Sequence, residues 1–167
     1  MKKQKRKMTK DVVPEGFTIP LVLVDFIPVF FLILAIIIFS LKTYFSYLII
    51  IGDIICFISS FIKVLWKLIV VLKKKNVWWM FKQMRIYLPI GFIMILLGFI
   101  LGWKNFSSHI YNASFYSKIF FTLWIIGMSL MGLFAAKLDS SDPVVNWIEE
   151  ITNSISQCFL CIAVYLM

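Results

Sequence analysis

The sequence predicts an all-α integral membrane protein, a bundle of five transmembrane helices, and three observations predict it. Hydrophobic residues fill 62% of the 167 positions and charged residues only 15%, against about 45–50% and about 25% in a soluble domain. The mean hydropathy is +0.95. A soluble fold of this size cannot hide so much apolar surface, and a disordered chain has far less of it. The apolar residues also gather into five stretches, each near the roughly 20 residues that a helix needs to cross a bilayer. The length suits one domain.

Residues 1–16 form a basic tail containing Lys2, Lys3, Lys5, Arg6, Lys7 and Lys10. No soluble domain follows it, so nucleic acid is not expected as a partner, and anionic lipid headgroups are. The first apolar stretch, 17–40, is interrupted by Pro20, Asp25 and Pro28. It is longer than a signal-peptide core of about 7–15 residues, and no small-x-small cleavage site follows, so it is read as the first span. The second, 43–72, carries Asp53, Lys63 and Lys67; the third, 86–103, and the fourth, 119–136, carry no charge. The fifth, 143–167, opens with Ser141-Asp142-Pro143, a capping residue followed by proline at the first helical position. Residues 17–167 are therefore expected to be one polytopic membrane domain. Four spans with an interfacial or re-entrant C-terminal helix is the alternative.

The connections set the orientation. The segment from Lys73 to Arg85 holds five basic residues and the interfacial pair Trp78-Trp79; the segment from Lys104 to Lys118 is polar and holds His109. With the amino terminus inside, twelve basic residues of the tail and connections lie inside, against Lys42, Lys104 and Lys118 outside. The positive-inside rule then predicts a cell-membrane protein with a cytoplasmic amino terminus and an external carboxyl end.

Ionisable groups inside a span are costly and face a bundle interior or a wet cavity. On the second span Lys42, Ser46, Asp53, Ser60, Lys67 and Lys74 recur at near-heptad spacing, with Cys56 and Lys63 beside them. On the fifth, Asn146, Glu150, Asn153 and Gln157 form a second stripe, with Glu149 at its edge. At about 1.5 Å per residue, Asp25, Lys63, Lys67 and Glu150 fall at similar depths in the cytoplasmic half. They are expected to form one polar cluster with Asn153 and Gln157, while Asp53 stands apart as an isolated acid. The bland reading of the cluster is mutual neutralisation that holds three helices in register. The sharper one is a vestibule for an ion or small solute. Pro28 frees a backbone carbonyl about one turn back, near Val24.

Small residues mark helix packing. Gly91, Gly98 and Gly102 share one side of the third span, and Gly132 and Ala136 repeat the small-xxx-small pattern on the fourth. These are read as internal contacts, with homodimerisation as the alternative. Cys158 and Cys161 make a CxxC within an apolar helix without a second ligand pair, and His109 has no neighbouring ligand set. No metal site, cofactor or catalytic residue is expected. Asn112-Ala113-Ser114 is a short glycosylation match. No phosphate loop or nucleophile elbow occurs. The leading functional expectation is a small non-enzymatic membrane protein, a transport component with a polar cluster. The alternative is an accessory or immunity-type protein that binds another membrane protein.

Overall fold

The structure, a computed structural model, describes residues 13, 16–42, 47–138 and 142–167. The six basic residues of the tail and Ser46 lie outside the described residues, as do the side chains of Lys42 and Ala136. The helices are α1 (Ile19–Lys42), α2 (Tyr47–Lys73), α3 (Trp78–Leu101), α4 (Trp103–Asn112), α5 (Phe115–Lys137) and α6 (Pro143–Leu166), with no strand among the described residues.

Four of them are long and apolar enough to cross a membrane: Ile19–Phe39, Tyr47–Lys73, Trp78–Leu101 and Phe115–Phe134. α6 has 24 residues, but Asn146, Glu149, Glu150 and Asn153 make its first half polar, and it is not among the four.

The helix boundaries correct the expected ones in two places. The connection after α2 is only residues 74–77, because α3 begins at Trp78 rather than at Ile86. Its first turns are amphipathic: Met80 and Gln83 are buried, whereas Lys82 and Arg85 are exposed. The basic residues therefore sit on helix ends, with Lys74 making the turn at φ 48°. The expected polar connection from Lys104 to Lys118 is mostly the helix α4. α3 ends and α4 begins at Gly102. Ser114 then caps α5 by accepting a hydrogen bond from the Ser117 amide at 3.1 Å. Asp142 caps α6 in the same way, accepting from the Val144 amide at 2.9 Å with Pro143 next in line.

The long helices lie side by side in the order α3, α2, α1, α6, α5. α1 is central and packs on both α2 and α6. The flanking helices α3 and α5 are consequently the most exposed, with 11% and 6% of their apolar windows buried. The main core lies where α1 starts and α2 ends. There Phe17, Leu21, Trp66, Val70 and Met80 pack together, with Trp147 of α6 against them. Phe17 meets Trp66 edge-on with ring centroids 5.7 Å apart, and the Trp66 indole N–H donates to Asn76 Oδ1 at 3.1 Å. A second cluster, Val22, Val29 and Val64, continues the α1–α2 seam. Gly16, just before α1, takes φ 87° and lies so close to Pro143 that no side chain fits between them.

Candidate functional site: an ion quartet between three helices

Lys63 and Lys67 are one helical turn apart on α2 and so project from one face. Asp25 of α1 and Glu150 of α6 meet them. Lys63 Nζ lies 3.3 Å from Asp25 Oδ1 and 2.9 Å from Glu150 Oε1. Lys67 Nζ lies 2.9 Å from Asp25 Oδ2 and 2.5 Å from Glu150 Oε1. Each lysine therefore pairs with each acid, and the group carries no net charge when all four are ionised. Asp25, Lys67 and Glu150 side chains are 2% exposed and Lys63 is 24% exposed. The Phe17 ring closes one side, its centroid 5.6 Å from Lys67 Nζ.

These pairs link helices α2 and α6, which flank α1 on opposite sides. The long lysine side chains make the connection. Glu150 Oε1 receives both ammonium groups, while Oε2 is buried without a hydrogen-bond partner among the described residues. One turn further along α6, the Ser154 hydroxyl donates to the Glu150 carbonyl at 2.7 Å and approaches the Val24 carbonyl at 3.5 Å. Val24 is the residue whose helical hydrogen bond Pro28 removes, so Ser154 sits beside the carbonyl that the proline frees.

Two expected members do not join the quartet. Gln157 is buried but turns toward α5, where its amide nitrogen lies 3.6 Å from Met128 Sδ. It lies nearly two turns beyond Glu150, on the side where α6 packs on α5. Asn153 is half-buried on the same helix, and none of the contacts of the quartet among the described residues involves it. Asp53 is half-buried on α2 and has no ionic partner among the described residues.

The glycines divide similarly. A Cβ at Gly91 would stand 2.6 Å from Cys56 Sγ and 2.8 Å from the Gly52 carbonyl, and a Cβ at Gly98 would strike Ile49. These two do bring α3 against α2. Gly102 does not: it ends α3, and its Cβ would meet only the Gly98 carbonyl of its own helix, at 3.1 Å. Gly132 packs on no helix among the described residues, since a Cβ there meets nothing within 4 Å.

Several contacts escaped the sequence reading. Gly52 approaches Gly91 backbone to backbone, its Cβ position 2.7 Å from the Gly91 carbonyl. Ser59, rather than Ser60 of the expected stripe, is buried and donates to Gln83 Oε1 at 3.0 Å, while Gln83 Nε2 donates to the Ser59 carbonyl at 3.1 Å. Gly127 of α5 faces Ser156 of α6 with no room for a side chain. A small residue opposite a small residue was the available signal. It was legible within one helix but not across two.

Fold and site together define an all-helical arrangement of the described residues, in which four apolar helices suit a membrane and the ion pairs are gathered at one internal junction. Comparison of the chain with protein-family models, with curated proteins and with solved structures finds no match.

Proposed function

We propose that the chain is a five-span protein of the cell membrane, amino terminus inside and carboxyl end outside, that acts by binding another membrane protein and carries no catalytic chemistry of its own. The observation behind this reading is the closure of the ion quartet. Each acid is matched to both lysines, and three of the four side chains are 2% exposed. The polar centre is thus occupied in holding α1, α2 and α6 together. The surface left for recognition is apolar, most of all on α5, where Ile125, Ile126, Leu130 and Leu133 are exposed and the space beside Gly132 is open. In lipid, small residues on such a face let a second helix approach closely.

The fifth span is supported by the pairing of α6 with α5, from Ser156 beside Gly127 to the Leu166 carbonyl, which accepts from Ser114 Oγ at 3.1 Å. Lys73, Lys74, Lys75, Lys82 and Arg85 are exposed and suit anionic headgroups of the inner leaflet. Nucleic acid has no part in this reading.

A photoreactive side chain in place of Leu133, activated in native membranes, should give one discrete adduct that Gly132→Leu abolishes without lowering thermal stability. An adduct of twice the chain's mass would make the partner a second copy. Complete absence of adducts counts against the reading. A transport role is the second reading. It is favoured by the 24% exposure of Lys63 beside the unpartnered Glu150 Oε2. Ion or solute uptake into vesicles holding the pure protein, absent from empty vesicles, would favour it over the first.

A further inference from the structure

We propose that the rim formed by α4 and the start of α5 binds the headgroup of an anionic phospholipid, with Lys118 on its phosphate. The proposal rests on the reading that the chain spans a membrane, though not on which way it faces. α3 ends at Leu101 and α5 begins at Phe115, so α4 lies where two apolar helices leave the bilayer. Trp103, Tyr111 and Tyr116 are exposed there, as aromatic residues at a membrane–water boundary are.

Between α4 and α5 is an open cavity of about 320 Å³ lined by Trp103, Ser107, Ile110, Tyr111 and Lys118. Its size is near the lower end of the roughly 300–1,000 Å³ of small-ligand sites. That suits the glycerol end of a lipid rather than a whole one, with the phosphate at the rim beside Lys118. Phe115 and Ile119 are exposed on the adjoining surface of α5, an apolar track along which acyl chains continue into the bilayer.

The charge selects the ligand. Residues 103–118 include Lys104, His109 and Lys118 but no acidic side chain. The Lys118 ammonium donates to the Tyr111 carbonyl at 2.9 Å and sits 5.8 Å from the centroid of the Tyr111 ring. This holds the ammonium beside Tyr111 at the rim of the cavity, and an ammonium has three donors, so it retains capacity for phosphate oxygens. The same geometry disfavours a choline headgroup. A choline cation would seek an aromatic face, and beside Tyr111 it would meet the like charge of Lys118.

The test uses the full chain in phosphatidylcholine vesicles containing a trace of photoreactive phosphatidylglycerol. Label is expected on the peptide covering 103–118, displaced by unlabelled phosphatidylglycerol but by neither added phosphatidylcholine nor inorganic phosphate. Lys118→Gln should lower that labelling about fivefold, the worth of one lysine near an anionic surface. Lys118→Arg should keep most of it, and Lys104→Gln, outside the cavity, should change it less than Lys118→Gln. Undiminished labelling of a folded Lys118→Gln protein overturns the proposal, as does equal displacement by phosphatidylcholine. Displacement by inorganic phosphate would assign the site to a free anion and overturn the lipid. Failure of the chain to remain with the vesicles after alkaline washing would instead refute the membrane reading itself.

Discussion

Lys67 carries its ammonium through surroundings that leave it 2% exposed to within 2.9 Å of Asp25 and 2.5 Å of Glu150. Bringing such charges out of water is expensive, and the pairing must return that cost; removing one partner leaves the others uncompensated and typically costs about 3–5 kcal/mol. Lys67→Met and Glu150→Gln are therefore expected to be among the most destabilising polar substitutions. Lys63→Met should cost less, because Lys63 at 24% exposure keeps contact with its surroundings. The doubles Asp25→Asn/Lys67→Met and Glu150→Gln/Lys67→Met should recover part of the loss, with coupling of about 0.5–3 kcal/mol. Thermal or denaturant unfolding in detergent provides the measurement, and additivity in both cycles would show that the pairs do not act as a unit. The four residues were legible in the sequence because depth follows from counting along a helix and opposite charges at equal depth seek one another. Gln157 was misplaced because a stripe gives only one face. α6 uses that face twice, toward α1 at Glu150 and, two turns later, toward α5 at Gln157.

Helix packing is the scale at which the sequence was most ambiguous. A glycine in a span is compatible with close approach, a helix end or an open groove, and all three occur. Gly91 and Gly98 meet α2, Gly102 ends α3, and Gly132 faces open space. Their neighbours in sequence do not distinguish them; only the opposing helix does, and the match of Gly52 to Gly91 is a relation between elements. The helix boundaries were misjudged for a related reason. By charge alone Lys82 and Arg85 suit a connection, yet they are exposed on the outer side of a helix whose other side buries Met80 and Gln83. Overpacking a close contact costs about 1–3 kcal/mol, occasionally more. Gly52→Leu, Gly91→Leu and Gly98→Leu should each destabilise by at least that amount. Gly132→Leu should leave stability within about 0.5 kcal/mol, as an open surface site does. Thermal unfolding of the four variants under one set of conditions decides it; equal effects at Gly98 and Gly132 would mean that α3 does not pack on α2 in this way.

At the scale of the whole molecule, the quartet constrains how the helices run. Asp25 is the seventh residue of α1, Glu150 the eighth of α6, and Lys67 the seventh from the end of α2. All meet at one point, so the start of α1, the end of α2 and the start of α6 share a side. The connection 74–77 lies on that side with its basic residues, and α4 lies at the other end of α3. Lysine and arginine are retained in the cytoplasm, so the shared side is expected to be the inner one. α6 then starts inside. Its 24 residues reach about 36 Å, more than the roughly 30 Å of a hydrocarbon core. Its polar residues do not forbid the crossing: Asn146, Glu150 and Gln157 are buried against protein, away from lipid. A low mean hydropathy is what a span shows when its polar face is spent on its neighbours. Reporter fusions should give an external signal in the His109 helix and after Met167, and a cytoplasmic one after Lys75. An external signal at His109 combined with a cytoplasmic one at Met167 would remove the fifth crossing. α6 would then have to turn back within the membrane, and the pairing of its second half with the first half of α5, from Ser156 at Gly127 to Leu166 at Ser114, would have to break.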